Sequence, residues 1–215
     1  ARQVMRELDL RLALKTQRVL RHEMDHRVKN SLQSVASLVR VYQGRVRRGA
    51  DMTDAFDAIG RRIEATAALH EMLHDSPLDD AVMMDEFLSR IASLLQDSAP
   101  EHVRITCEAV PVAISTLVAS SLAVIVSEFA ANSIKHAFAD SEAGQARITG
   151  AMQEDGSLKV VCEDNGGAPV QSVPDETSVA GLGKRIMKAS ASQIGATLEN
   201  GPGPNGYRME LIRPA

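Results

Sequence analysis

The sequence has few aromatic residues, few cysteines and no long apolar run. Aromatic side chains make up 3% of its 215 residues and tryptophan is absent, so Leu, Val, Ile, Met and Ala must fill the core, which favours helical packing. Cys107 and Cys162 lie far apart without a CxxC motif, which argues against disulfides or zinc and fits a reduced, cytoplasmic setting. No run approaches the roughly 18 apolar residues of a membrane span, and no signal peptide is recognisable. We therefore expect no membrane segment in these residues.

Charge is distributed unevenly along the chain, although the net charge is only −4. Residues 1–49 hold 12 Lys and Arg against 4 Asp and Glu, a net charge of +8. Residues 50–215 hold the other 12 basic residues against 24 acidic ones, a net charge of −12. The basic segment lacks interleaved aromatic residues, so we expect an acidic protein partner and no nucleic acid. A solvated helix face is the alternative explanation of these charges.

The sequence pattern over residues 1–76 predicts a helical hairpin. No Gly or Pro precedes Gly44, which predicts one helix over about residues 3–44, roughly 60 Å long. Its apolar residues recur with 4-4-3-4-3 spacing and form one narrow stripe: Met24, Val28, Leu32, Val35, Val39 and Tyr42. A second amphipathic helix is marked by Phe56, Ile59, Ile63, Leu69, Met72 and Leu73. Because a lone hairpin leaves one face of each helix unburied, we expect a homodimer with a four-helix bundle; a monomer whose C-terminal domain covers that face is the alternative.

Residues 77–215 predict a second domain, of the α+β class. Helical patterns occur over about 81–98, 115–138 and 182–195, and strand patterns at "HVRITCEAV", "ARITGAM", "LKVVCED", "TLEN" and "YRMELI". Short turns such as "QEDGS" indicate a mixed, mostly antiparallel sheet. The expected architecture is therefore an α/β sandwich of helices packed on a sheet.

His26 is the first residue that could carry chemistry. At about 100° per residue it lies almost opposite the apolar stripe of the first helix, on the polar side that also holds Lys29 and Asn30. A neutral imidazole can attack phosphorus, while the neighbouring carboxylate of Asp25 holds its tautomer and takes the proton. Lys29 can attract an anionic phosphoryl donor. The alternative is an ordinary surface histidine.

A second group of polar residues lies in "SEFAANSIKHAF", residues 127–138. Glu128, Asn132 and Lys135 fall at i, i+4 and i+7, so they line one edge of a helix whose other face is apolar. A carboxylate, an amide oxygen and an ammonium group suit a magnesium ion held between the protein and phosphates. An amphipathic helix with a polar border is the alternative.

Two glycine-bearing segments follow. In "VVCEDNGGAP", Asp164 ends a strand and can accept a hydrogen bond from an exocyclic amine, while Gly166 lets a flat ring approach. In "SVAGLGKRIMKA", Gly181 and Gly183 precede a helix whose first amides can receive phosphate oxygens. An ordinary Asp-Asn-Gly turn and a chance Gly-x-Gly are the alternatives, so it is the order of all four groups that favours a nucleotide site.

In this order the segments resemble the dimerisation and ATP-binding core of bacterial sensor histidine kinases, within the wider GHKL class of gyrase, Hsp90, histidine kinase and MutL ATPases. "DHRVKNSLQSVASLV" is similar to the phosphoacceptor box of the HisKA_2 type, in which His-Arg-x-Lys-Asn replaces the commoner His-Glu-x-x-Asn/Thr. "SEFAANSIKHAF" resembles the family's N box, and "EDNGGAP" and "AGLGKRI" resemble its two glycine boxes. The resemblance covers nearly all of residues 20–213, and the subfamily named for its His-Trp-Glu pattern is disfavoured because the chain has no Trp.

The resemblance implies a role for each residue that matches a box. It implies that His26 is phosphorylated, with Asp25, Lys29 and Asn30 assisting in the same box. It implies that Asn132 binds Mg²⁺, that Glu128 orients Mg²⁺ or polarises the attack, and that Asp164 binds the adenine amine. The residues that it places around ATP are Asn132, Lys135, His136, Asp164, Gly166, Gly181, Leu182 and Gly183.

The glycine boxes depart from the family pattern at two places. Ala168 stands where a second separated glycine is usual, and the following segment up to residue 180 predicts a short lid over ATP. Val179 and Ala180 precede the Gly-Leu-Gly of the second box, where small or polar residues often stand. These departures leave open a histidine phosphotransfer protein that no longer binds ATP. An anti-sigma type serine kinase or a plain ATPase would not need the hairpin.

The resemblance implies two phosphoryl transfers, from Mg-ATP to His26 and from His26 to an aspartate of a response regulator receiver domain. The basic first helix would attract an acidic receiver pocket. No sensor pattern is recognisable in these residues. We therefore expect either a longer sensor protein or control by a separate sensory partner.

Overall fold

The computed structural model describes residues 52–75, 80–139, 143–166 and 181–215, together with residues 36, 39, 40 and 43. The chain divides into two compact units, residues 1–49 and residues 50–215. The four separately described residues belong to the first unit, and all four are helical. The rest of the predicted first helix, including His26, lies outside the described residues, and the predicted boundary between residues 76 and 77 stays a prediction.

The second unit contains helices and strands in the order expected of an α+β domain. Its helices are α1 (Met52–Asp75), α2 (Met84–Ser98), α3 (Thr116–Asn132) and α4 (Gly181–Gln193). Its strands are β1 (Ala81–Met83), β2 (Val103–Ala109), β3 (Ala113–Ser115), β4 (Gly144–Met152), β5 (Leu158–Asp164), β6 (Thr197–Pro202) and β7 (Tyr207–Arg213). A single π-turn, Ser133–Ala137, continues α3.

Five of the strands form the main sheet, in the order β2-β4-β5-β7-β6. The β2–β4 pair is parallel and the other three pairs are antiparallel. The predicted mixed, mostly antiparallel sheet is therefore confirmed. The sequence did not predict the second sheet, in which β1 and β3 pair antiparallel over three residues.

The core lies between one face of the main sheet and helices α2 and α3. Apolar residues of α2 recur at helical spacing and are buried, among them Phe87, Leu88 and Ile91. Alternate residues of the central strands meet them, such as Val160 and Cys162 of β5. Burial raises the pKa of the Cys162 thiol, which remains a free, uncharged core residue.

Helix α3 begins at a side-chain cap and runs through the core. The Val118 N–H donates to Ser115 Oγ at 3.4 Å, which satisfies one of the free amides of the first turn. By length and composition the helical stretch Thr116–Ala137 could cross a membrane, which the sequence interpretation overlooked. However, 67% of its most apolar window is buried in the protein, as expected of a core helix in a layered domain.

Helix α1, the second helix of the predicted hairpin, packs against the α+β domain. Ala65 and Leu69 belong to the same buried cluster as the core of α2 and α3. Arg62 Nη1 donates to the carbonyl oxygen of Ser120 in α3 at 3.1 Å, and burial lowers the pKa of Arg62 to about 10. Phe56 and Ile63, seven residues apart on the helix, are 65% and 50% exposed. The helix thus has one face in the core and apolar side chains outside it.

The other face of the sheet carries a network of charged side chains. Lys159 Nζ lies 2.8 Å from Glu210 Oε1, and Arg208 Nη2 lies 2.7 Å from Glu210 Oε2. Arg208 Nη1 also pairs with Glu163. The hydrogen bonds from Lys159 and then from Arg208 lower the pKa of Glu210 below its ordinary value.

We expect Glu210→Gln to remove a pH-dependent part of the stability. Because the pKa is lower in the folded protein, ionised Glu210 stabilises the fold above the ordinary glutamate pKa of about 4.3, and this contribution is lost as the pH falls through the folded pKa. The partly exposed network limits the effect to below about 1 kcal/mol. In urea unfolding the variant should differ from the wild type more at pH 7 than at pH 3, while Glu154→Gln, in the exposed turn between β4 and β5, should unfold as the wild type does. Equal destabilisation by Glu210→Gln at both pH values would contradict the linkage.

Candidate nucleotide-binding site

The predicted site residues within the described ranges gather around the C-terminal end of α3. Glu128 lies in its last turns and Asn132 is its last residue. Asp164 ends the central strand β5, and the Gly-Leu-Gly segment begins α4. A helix C-terminus, a strand end and a helix N-terminus therefore meet at one side of the sheet.

The second glycine segment lies against the polar edge of α3. A Cβ atom built on Gly183 would lie 2.9 Å from Oε2 of Glu128 and 3.5 Å from Nδ2 of Asn132. A side chain at position 183 would therefore displace the Glu128 carboxylate and would touch the Asn132 amide at ordinary contact distance. Gly181 and Leu182 occupy the first turn of α4, where backbone N–H groups have no helical partner and attract anions.

The helix changes form immediately after Asn132. The Phe138 N–H donates to the Ser133 carbonyl oxygen at 3.0 Å, an i to i−5 bond that defines the π-turn. The α-helical spacing that placed Lys135 at i+7 from Glu128 therefore ends at Asn132, because the π-turn holds one extra residue. Lys135 and His136 are both exposed on this turn, and π-turns occur frequently at functional sites.

Asp164 is held by three hydrogen bonds and is 6% exposed. Its Oδ1 accepts the N–H of Gly166 at 3.2 Å and the N–H of Tyr207 at 3.0 Å. Its Oδ2 accepts the hydroxyl of Ser133 at 2.7 Å. Burial and, to a smaller extent, the charge of Asp164 raise the pKa of the Tyr207 phenol. The carboxylate is therefore fixed from three different elements.

Two glycines allow close packing near Asp164. A Cβ atom built on Gly206 would lie 2.6 Å from Oδ1 of Asp164 and 2.6 Å from the carbonyl oxygen of Gly166, and closer still to the carbonyl oxygen of Asp164. A Cβ on Gly166 would lie 2.8 Å from the carbonyl oxygen of Ala137 and would overlap the side chain of that residue. Gly166 was among the predicted site residues, whereas Gly206 and Ser133 were not.

The strand end that carries Asp164 is also fixed from its other side. The Gln145 N–H donates to Asn165 Oδ1 at 2.6 Å, and the Asn165 N–H donates to the Gln145 carbonyl oxygen at 3.1 Å. A Cβ on Gly144 would lie 2.5 Å from the ring of Phe138, the buried residue that closes the π-turn. Strand β4 therefore supports both the strand end and the π-turn.

Several predicted site residues lie outside the described residues. These are His26, Asp25, Lys29 and Asn30 of the phosphoacceptor box, together with residues 167–180, which hold Ala168 and the predicted lid. Across the described ranges no cluster of three or more His, Cys, Asp or Glu side chains could hold a metal ion. The Glu128 carboxylate and the Asn132 amide oxygen fit Mg²⁺, which takes one or two protein ligands together with phosphates and water.

The segment that contains His26 matches a known family. Residues 23–99 match a family described as histidine kinase, and this range includes His26. Blue-light-activated histidine kinase 2 of Erythrobacter litoralis is 27% identical over 216 residues, which cover 97% of this chain and 58% of that protein. The sensor histidine kinase PdtaS of Mycobacterium tuberculosis is 32% identical over 173 residues, 79% of this chain and 34% of that protein. The chain thus spans from about a third to just over half of these relatives.

Solved structures share the fold. The histidine kinase domain of the blue-light-activated histidine kinase EL346 of Erythrobacter litoralis superimposes with a TM-score of 0.67 at 22% identity, covering 84% of each chain. The catalytic domain of the histidine kinase ThkA gives a TM-score of 0.52 at 13% identity, over 62% of this chain and 94% of that one. At these identities the likeness concerns the fold, which agrees with the predicted GHKL-type architecture. The family match and the aligned relatives support a sensor histidine kinase core, and the fold agrees with it.

Proposed function

We propose that the chain is the kinase core of a two-component system. It would bind Mg-ATP, transfer the γ-phosphoryl group to His26 and pass it to an aspartate of a response regulator receiver domain. The observation that carries the proposal is the set of contacts around the end of α3. Glu128 and Asn132 lie against Gly183, and Ser133, which follows Asn132, is hydrogen-bonded to Asp164. Groups suited to phosphate and to adenine thus lie side by side.

The buried Asp164 would form the adenine end of this site. A carboxylate oxygen has two lone pairs, and in the described contacts Oδ2 uses one of them, for the Ser133 hydroxyl. The other is available to an exocyclic amine. Gly206 lets the turn before β7 pack against this carboxylate, and Gly166 lets the end of β5 pack against Ala137, so both glycines fix the position at which a base would meet Asp164.

The edge of α3 and the start of α4 would form the phosphate end. The free amides at the start of α4, the exposed Lys135 ammonium and the His136 imidazole would bind phosphate oxygens. Glu128 and Asn132 would hold Mg²⁺, which supplies charge neutralisation on the phosphates during transfer. Two protein oxygens suffice for this role because the nucleotide provides the remaining negative ligands.

His26 would be the nucleophile. Its Nε2 lone pair forms the bond to the γ-phosphorus as the bond from that phosphorus to the bridging oxygen of ADP breaks. Asp25 would hold the Nδ1–H and take that proton, and Lys29 would draw in the phosphates. Lys29 and Asn30 would also lie where a receiver domain docks, so the basic first helix could attract its acidic pocket.

The same proposal includes a homodimer and a sensory input from outside these residues. The exposed apolar residues Phe56 and Ile63 of α1 support the dimer, because two copies of this helix face could bury each other. We also propose a cytoplasmic setting, in agreement with the free thiols of Cys107 and Cys162. Sedimentation at several concentrations would give the mass of one or two chains.

We expect His26→Ala to abolish phosphorylation of the protein. The wild type, incubated with γ-labelled ATP and Mg²⁺, should acquire label that acid removes and base does not, because the P–N bond of phosphohistidine has this lability. His22→Ala, four residues earlier and predicted on the same polar side, is the matched control and should label normally.

Other results of this labelling experiment would favour the alternatives. A wild type that takes no label and binds no ATP, yet accepts phosphate from a phosphorylated receiver at His26, would be a phosphotransfer protein. Acid-stable label that persists in His26→Ala would indicate a serine kinase. Release of phosphate without labelled protein would indicate a plain ATPase.

A further inference from the structure

We propose that Ser133 is a positioning residue that orients the Asp164 carboxylate and thereby makes the site selective for adenine. The inference rests on the proposed function, because it assumes that Asp164 binds the adenine amine. Ser133 lies within the N-box segment but is not among the residues predicted to bind ATP. Its role follows from one buried hydrogen bond and from what that bond does to the free lone pair of the carboxylate.

The hydroxyl of Ser133 is the side-chain donor to Asp164 in the described structure. Ser133 is 3% exposed and its Oγ lies 2.7 Å from Oδ2, whereas Oδ1 accepts only backbone N–H groups, from Gly166 and Tyr207. With both oxygens bonded, the carboxylate cannot rotate about its terminal torsion without breaking a bond. Removal of the Ser133 hydroxyl would leave Oδ1 fixed and release Oδ2.

Backbone hydrogen bonds on both sides of Ser133 fix the part of the chain that carries this hydroxyl. The Ser133 N–H donates to the carbonyl oxygens of Ala130 and Phe129, and the Ser133 carbonyl accepts the Phe138 N–H at 3.0 Å. Ser133 therefore stands at the junction between α3 and the π-turn, bonded on both sides. Its neighbour Asn132 belongs to the proposed magnesium end, so consecutive residues serve the two ends of the nucleotide.

Adenine recognition requires an acceptor that keeps one direction. An ionised carboxylate only accepts hydrogen bonds, so it can pair with the N6 amine of adenine. Hypoxanthine carries a carbonyl oxygen at the same ring position, and the carboxylate repels that oxygen. A site built to bond an N–H group rejects analogues that lack it, provided that its acceptor cannot turn away. By occupying one lone pair of Oδ2, the Ser133 hydroxyl directs the other toward the base.

Binding of ADP and of inosine diphosphate, measured by calorimetry without Mg²⁺, tests this role. Ser133→Ala should bind ADP about tenfold more weakly, as expected for one lost hydrogen bond to a charged group, and inosine diphosphate almost as the wild type does. The ADP preference should therefore fall about tenfold. Ser133→Thr retains the hydroxyl and should restore the preference.

Ser121→Ala is the matched control. Ser121 is a buried serine of α3, 2% exposed, and its hydroxyl has no hydrogen-bond partner among the described residues. Its removal should leave both affinities unchanged. Thermal unfolding of every variant separates loss of the fold from loss of selectivity.

Equal weakening of both ligands by Ser133→Ala, or unchanged binding of both, would overturn the positioning role while leaving the proposed function intact. A folded wild type that binds neither ligand would overturn the proposed function and this inference together. A fall in ADP preference that Ser133→Thr reverses supports the inference.

Discussion

Gly206→Ala is expected to weaken ADP binding by at least about 100-fold. The added Cβ would lie 2.6 Å from Oδ1 of Asp164 and 2.6 Å from the carbonyl oxygen of Gly166. These atoms belong to the backbone and to a carboxylate that is hydrogen-bonded at both oxygens. They therefore cannot move away from the new Cβ as easily as the end of a flexible side chain would. The turn between β6 and β7 must therefore shift away from Asp164.

That shift would break the bond from the Tyr207 N–H to Asp164 Oδ1, because Tyr207 follows Gly206 directly. Hydrogen bonds to charged groups contribute about 1.5–3 kcal/mol each, and the displaced carboxylate would also lose its alignment with the base. Loss of two such contacts amounts to about a 100-fold change in affinity. Calorimetric titration with ADP measures it directly.

Gly201→Ala supplies a control in the same β-hairpin. A Cβ at Gly201 meets nothing within 4 Å, so this variant should bind ADP as the wild type does. Both variants should retain a cooperative thermal transition, since Gly206 lies at a turn outside the main hydrophobic core. Wild-type ADP affinity in Gly206→Ala would show that the turn can move without disturbing Asp164. Equal losses of ADP affinity in both variants would indicate a general effect on the hairpin.

Local patterns were sufficient to predict most helices and strands of the second unit. The spacing of Phe87, Leu88 and Ile91 specifies a helix with one buried face, and alternation in β5 specifies a strand with Asp164 at its end. These signals are contained within a few consecutive residues. The same is true of the N box and the glycine segments, which is why Glu128, Asn132 and Gly183 could be predicted as members of one site.

Contacts that depend on strand register could not be predicted. Gly206 and Tyr207 reach Asp164 because β5 and β7 pair with Glu163 opposite Arg208, and a shift of one residue would place another residue beside the carboxylate. Strands β1 and β3 are three residues each, too short to show alternation. The π-turn at Ser133 differs from the α-helix by one hydrogen bond, which leaves no trace in the apolar pattern.

The sequence also does not show which surface the apolar face of an amphipathic helix packs against. The apolar residues of α1 correctly indicated a buried face, and Leu69 is buried in the core of the α+β domain. The pattern is the same whether such a face packs against another hairpin helix or against α3. The buried cluster around Leu69 and the contact between Arg62 and the Ser120 carbonyl show which surface α1 meets.

Asn132→Ala is expected to reduce phosphorylation of His26 by at least about 100-fold without unfolding the protein. Asn132 is the exposed last residue of α3, and its amide lies beside Gly183 and near Glu128, so truncation leaves no cavity in the core. The variant would lose one of the two proposed oxygen ligands for Mg²⁺. Removal of a single group that stabilises charge in a transition state typically costs 10²–10³ in rate.

The magnesium dependence distinguishes this role from a structural one. ADP binding without Mg²⁺ should be unchanged in Asn132→Ala, whereas the increase in ADP affinity that Mg²⁺ gives the wild type should disappear. Asn132→Asp keeps an oxygen at the same position and should retain part of that increase, reduced by the repulsion between its carboxylate and Glu128. If Asn132→Ala labels His26 at the wild-type rate, Asn132 is not a magnesium ligand, and the ion must be held by Glu128 and the phosphates alone.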